Sequence, residues 1–234
     1  MNLSSLQTEI SRKLNDTSQD RWNATILTSR INLIIRDIVL RSKCLRETGT
    51  DSIVAGQQEY ALPSGYVDMI RVTLDGKELT YVDKKELDME SGIDWTTRTG
   101  TPTRYYIDID PDNSKVGLVP YPDTAGSSNL KYFFVKNPTD LSASTDIPFN
   151  NDTVTTSNLL VPHHATIVYG AAAMCLEDSI SDPGTIAKVN EYWSKYEEGL
   201  RKIYDIFNNP TDRLWTMRGG RNWGQSSGAT VWND

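Results

Sequence analysis

The chain has 234 residues, with 24 Lys and Arg against 31 Asp and Glu, a net charge of −7 and a hydrophobic fraction of 38%. That length can bury a real core as one large domain or two small ones. No apolar run approaches the ~20 residues of a membrane-spanning helix, and the opening MNLSSLQTEISRKLND lacks the basic start and apolar stretch of a secretory signal. Synthesis in a reducing cytoplasm and no membrane partner are therefore expected. Cys44 and Cys175 lie far apart without CxxC spacing, which predicts two separate buried thiols rather than a disulfide.

Leu3, Leu6, Ile10 and Leu14 recur at spacings of three and four and predict a short amphipathic helix. The polar stretch NDTSQD breaks it, with Ser18 or Asp20 as N-cap of the next helix. Between Arg21 and Leu45 the stripe Leu27, Ile31, Ile34, Ile38 and Leu45 is widened by Ile26, Leu33 and Leu40. A stripe that wide predicts a helix packed on two sides.

From Thr50 to about Asn158 the texture changes to short β-rich runs separated by turn residues. Asp75-Gly76 between two such runs is a strong hairpin signal. The stretches DPDNS and DTAGSSN read as two more turns, and Asp83–Glu90 as one or two helical turns. Several short strands at close spacing predict an antiparallel sandwich or barrel.

Helical signals return at Pro162, which suits a first helical position. Gly170, Ala171, Ala172 and Ala173 then provide a surface that another helix can approach closely. Asp182-Pro183 starts a last helix, in which Ile186, Val189, Trp193, Tyr196, Leu200, Ile203 and Phe207 alternate spacings of three and four. From Pro183 to Asn208 it spans about 39 Å at ~1.5 Å per residue, and Asn209-Pro210 ends it. The predicted fold class is α+β: a discontinuous helical bundle over 1–50 and 159–208, an inserted β-sandwich or barrel module over 51–158, and an extended C-terminal arm over 209–234.

Charge follows the same division. Residues 1–50 carry eight basic and five acidic groups, residues 51–160 nine and seventeen, and residues 161–234 seven and nine. An acidic middle argues against a grip on a phosphate backbone or an anionic membrane and suits a surface that nucleic acid slides past.

The residue patterns of enzymes are weak here. His163 and His164 are adjacent, about 100° apart on a helix, and have no HxxxH or HExxH partner for a metal. Asp108, Asp110 and Asp112 imitate half a calcium loop, but Pro111, Asn113 and Val119 occupy positions the loop needs for other residues. A hairpin turn with acidic flanks is expected there. No catalytic residue, cofactor site or metal site is assigned. A second class of function is a carbohydrate- or receptor-binding module, with Trp95, Tyr105, Tyr106, Tyr121 and Tyr132 as an aromatic platform; at strand spacing these residues suit a core better.

The phrases GQQEYALPSGYVDMIRVTLDGKELTYVDKKEL and GTPTRYYIDIDPDNSKVGLVPYPDTAGSSNLKYFFVKNPTDLSASTDIPF, followed by a helix pair with an alanine-rich first member, carry a resemblance. In order and spacing they resemble the adaptor (head-to-tail connector) proteins of tailed bacteriophages. The likeness covers roughly Gly56 to Phe207. It implies a non-enzymatic virion protein at the head–tail junction, assembled in the host cytoplasm into a ring of about twelve copies. The implied partners are the portal protein, the tail tube or nozzle, and neighbouring copies, with DNA passing through the channel without specific binding. The channel-facing surface is expected to be negative on balance.

The last 22 residues, RLWTMRGGRNWGQSSGATVWND, combine Gly and Ser with half of the chain's tryptophans. A floppy tail avoids exposed Trp, and Gly219-Gly220 interrupts any long strand. The sequence therefore favours an arm that docks on another chain, the portal or a neighbouring subunit. Its partner-binding residues would be Arg213, Trp215, Arg218, Arg221, Trp223 and Trp232.

Overall fold

In the computed structural model, residues 1–90, 94–110, 114–149, 159–179 and 183–208 are described. Helix α1 (Leu3–Leu14) starts where the Asn2 side chain accepts from the Ser5 amide and ends at the left-handed Asn15. Helix α2 (Ala24–Ser42) is capped by Asn23, whose side chain accepts from the Ile26 amide. The cap is thus neither Ser18 nor Asp20. Asp16 fixes the intervening turn instead, its carboxylate accepting from the amides of Asp20, Arg21 and Trp22. Lys43 in the left-handed region closes α2 and turns the chain into the sheet.

The β region is built from β1 (Arg46–Ile53), β2 (Glu59–Ala61), β3 (Tyr66–Leu74), β4 (Lys77–Tyr81), β5 (Thr99–Gly100), β6 (Arg104–Asp108), β7 (Lys115–Val119), β8 (Tyr121–Pro122) and β9 (Gly126–Lys136). Seven strands make one curled sheet in the order β1-β9-β3-β4-β6-β7-β2, half of a barrel, and β5 pairs with β8 separately. This is one curled sheet with a small appended pair, where the strand pattern predicts two facing sheets or a barrel. Nor is it wholly antiparallel: β4 and β6 run parallel, as do β5 and β8. The reason lies in the connection. Between β4 and β6 the chain detours through α3 (Lys84–Met89), capped by Asp83, and a crossover of that length returns the strand in the same direction.

The Asp75-Gly76 hairpin is present, with φ of 49° and 78° at the two turn residues, the paired positive values that a two-residue hairpin needs. In β7, Gly117 lies beneath the Tyr106 ring so closely that a Cβ there would sit 1.9 Å from Cζ. That ring is the centre of a small cluster with Val82, Leu87, Trp95 and Val119 beneath α3.

Helices α4 (His164–Glu177) and α5 (Pro183–Asn208) complete the chain, α4 being entered through a single 3-10 turn, Val161–His163, that contains Pro162. The largest core joins residues of α1, α2, α4 and α5: Leu6, Ile10, Ile31, Ile34, Ile38, Ile167, Ala171, Tyr196 and Ile203 are all buried in it. Val135 of β9 and Leu141, Phe149 and Leu160 from the connection after it enter the same core. Asn32 fastens that connection by exchanging two hydrogen bonds with the Leu141 backbone, at 3.1 and 3.0 Å.

The small residues of α4 have the role their size suggests. A Cβ on Gly170 would lie 2.8 Å from Ile34 Cδ1 of α2 and 2.9 Å from Tyr196 Cδ2 of α5, so α4 is held between two close neighbours. Gly170→Leu should therefore destabilise the protein by about 1–3 kcal/mol through overpacking, despite leucine's better helix propensity. Urea denaturation of the two proteins measures the difference.

Candidate assembly surfaces

The two cysteines are buried and unpaired in the helical core, and burial pushes both thiols up to about 11. His163 is half-buried in the 3-10 turn, while His164 opens α4 at only 1% exposure. The Met1 ammonium donates to His164 Nδ1 at 2.7 Å, which leaves the ring proton on Nε2, a buried atom with no hydrogen-bond partner among the described residues. Burial, and then the positive N-terminus, hold the imidazole well below its ordinary range, at about 4. Its place is in the packing between the N-terminus and Phe149.

Other shifted groups have equally local causes. Tyr196, wholly buried, is raised by burial and by donating to Asp37, while Arg41 is raised by its two-pronged bond to Glu197 at 2.7 Å. Glu59 is lowered first by Lys115 and also by accepting from Tyr106. Asp108 pairs with Lys84 at 2.5 Å, and Asp112 lies outside the described residues. Among the described residues no three His, Cys, Asp or Glu come together as a metal site.

The proposed aromatic platform is buried. Trp95, Tyr105, Tyr106 and Tyr132 are each at most 7% exposed, and Trp95 Nε1 is spent on Asp88 at 2.8 Å. Only Tyr121 of that set is half-exposed. Tyr105 and Tyr132 fill one face of the sheet and Trp95 and Tyr106 the cluster beneath α3, so these four rings present no shared face to a sugar.

What remains open is apolar surface on the helices. Leu33 is 41% and Leu40 57% exposed, seven residues apart on one face of α2. Leu33 lines a shallow groove with Met174 of α4 and Trp193 of α5, both half-buried. The second side that the α2 stripe predicts is therefore present in the sequence, and Leu33 and Leu40 on it stay exposed among the described residues. A second exposed set, Tyr81, Met89 and Ile109, lies at the ends of β4, α3 and β6. Sequence periodicity signalled the first set; nothing marked the second, because its residues look like ordinary strand and turn positions. Arg213, Trp215, Arg218, Arg221, Trp223 and Trp232 lie outside the described residues.

Comparison with known families gives one match: the family model described as SU10 adaptor protein matches residues 1–222. The chain belongs to the SU10 adaptor protein family. This is a phage head–tail adaptor family. No curated protein matches the chain. The SU10 adaptor match runs through Arg213, Trp215, Arg218 and Arg221 and stops before Trp223 and Trp232. Among the described residues of this family member, no helix is long and apolar enough to cross a membrane.

The His164 geometry has a measurable consequence. Its folded pKa is below the unfolded value of 6.5, so the unfolded chain binds the proton first as pH falls. Stability should be fully present above pH 6.5 and decline towards pH 4, by about 3 kcal/mol at most from this group. His164→Gln should flatten that decline. Urea midpoints across this pH range, compared between wild type and variant, provide the check.

Proposed function

We propose that the protein is a ring-forming structural adaptor of the virion, seated between the portal and the tail or nozzle and continuing the DNA channel. The observation that carries this reading is the family match across residues 1–222. In this reading residues 1–50 and 159–208 form the helical part, 51–158 the β module and 209–234 the arm that reaches the portal or a neighbouring copy. About twelve copies close the ring.

Two properties of the chain support it. The apolar face of Leu33, Leu40 and Trp193 suits side-by-side packing against a different patch of the next copy, the contact that generates rings. The acidic surplus between residues 51 and 160 suits a wall past which DNA must move without sticking.

Two variants test this. Leu33→Asp with Leu40→Asp should change monomer stability by about 0.5 kcal/mol or less per site, since both side chains are exposed. The same variant should fail to assemble beside the portal in negative-stain images and light scattering. Unchanged assembly would remove α2 from the ring contact. Deleting residues 211–234 should leave the folded part intact and weaken portal binding at least tenfold, about 1.4 kcal/mol. Equal affinity with and without these residues would sink the role of the arm.

A further inference from the structure

Strands β1, β9 and β3 bury one face of the sheet and turn the other outward. Leu130, Tyr132 and Phe134 of β9 and Val72 and Leu74 of β3 fill the buried side, so Lys131, Phe133 and Arg71 point the opposite way. Register lines these residues up in two rows, Thr48–Phe133–Arg71 and Thr50–Lys131–Thr73. Thr48, Thr50, Arg71 and Lys131 are exposed and Phe133 is half-buried. The Arg71 guanidinium lies 4.0 Å from the Phe133 ring centroid, which holds the cation over the ring. The ladder slips between Met69 and Arg71, and Ile70, the extra residue of that bulge, is 38% exposed.

The sign of this face is the reverse of its module's. Residues 51–160 carry nine basic and seventeen acidic groups, yet both charges in the two rows are positive. Glu78, opposite Thr73 on β4, is the acid at their margin. Glu47 and Asp68 are engaged with Lys136 and Lys43, and Asp51 lies opposite Leu130 on the buried side. A surface with two cations and an aromatic ring fits an acidic surface with an apolar projection.

Helix α3 has that character. Its Leu87 packs on Tyr106 of β6, three strands from β9 in the sheet, while Glu86, Asp88 and Met89 are exposed. Asp83 to Glu90 hold four acids against two lysines. Met89 is 81% exposed, the highest value of any large apolar side chain among the described residues. The ion pairs Lys84–Asp108 and Arg104–Glu90 fix α3 over β6, so it meets the β1-β9-β3 face only on another copy. Because the sheet curls, the two surfaces look in different directions. Unlike, complementary surfaces so placed join copies head to tail.

We propose that the β1-β9-β3 face docks α3 of a second copy of this chain. Met89 then sits on Phe133 and Ile70, a thioether–aromatic contact, and Glu86 and Asp88 face Arg71 and Lys131. The proposal rests on the ring reading and gives the ring a second contact, made by the β modules as the α2 face is made by the helices.

Disulfide trapping on the full chain decides it. Met89→Cys and Phe133→Cys are made as separate variants, and the native Cys44 and Cys175 are buried and do not compete. Mixed with the portal present and mildly oxidised, the two should give a disulfide-linked dimer that neither gives alone. A chain carrying both substitutions should give a ladder of multimers. Adding Arg71→Glu and Lys131→Glu to the Phe133→Cys chain should lower the dimer yield at least about tenfold, and Glu86→Lys on the Met89→Cys chain should raise it again. Each variant should keep a single cooperative urea transition, showing that it is folded. Folded variants that form no mixed disulfide would overturn the contact. Rings still visible by negative stain in that sample would leave the ring reading in place, and their absence would remove both. A yield indifferent to the two charge reversals, or a dimer from either single variant alone, would also overturn it.

Discussion

The close approach of three helices at Gly170 is the contact on which the architecture depends. α4 lies between α2 and α5 with only a hydrogen atom at the point where Ile34 and Tyr196 converge. α2 ends at Ser42 and α4 begins at His164, so the whole sheet is an excursion between two helices that must return to touch. A bulkier α4 would leave the α2 stripe and the buried side of α5 without a partner. Val135, Leu141, Phe149 and Leu160 tie the end of the sheet and its following connection to the same core. Dense packing makes such a junction intolerant of an added methylene.

Charge contributes differently. The ion pairs Arg36–Asp140, Lys43–Asp68, Arg41–Glu197 and Lys84–Asp108 are all substantially solvent-exposed and so add little to stability individually. Their value is in orientation: Lys43–Asp68 links the end of α2 to β3, and Arg36–Asp140 holds the connection after β9 against α2. The shifted titrations have the same character. Each is explained by burial, a neighbouring opposite charge or a single hydrogen bond, with no convergence of groups on a common cleft among the described residues. What the described residues leave open is apolar surface.

Those surfaces follow from an imbalance within the fold. α2 carries apolar residues on more than one face, and among the described residues Leu33 and Leu40 stay outside while Ile31, Ile34, Ile35 and Ile38 are buried. α5 has a similar excess in Ile186 and Tyr204. Membership of a phage head–tail adaptor family implies interaction with other virion components, and an exposed apolar stripe is surface available for such contacts.

By itself the sequence determined the elements that depend on near neighbours along the chain. The periodicity of Leu3, Leu6 and Ile10 and of Val189, Tyr196, Leu200 and Ile203 determined two helices and their buried faces. Asp75-Gly76 determined a hairpin because only paired positive φ values close it, and Gly170 with its alanines marked a close helix contact. The phage adaptor resemblance was legible too, since it rests on the order of phrases along the chain. Only the tertiary structure decided the rest. The parallel pairing of β4 with β6 depends on where the α3 detour returns, and Asn23 rather than Ser18 or Asp20 caps α2 because Asp16 had already captured the turn amides. The aromatic residues of the β region could face in or out until the sheet buried Tyr105 and Tyr132 on one face and α3 covered Tyr106 and Trp95. Long-range register and sheet curvature are set by contacts between residues distant in sequence, and no local pattern encodes which side of a strand will meet them.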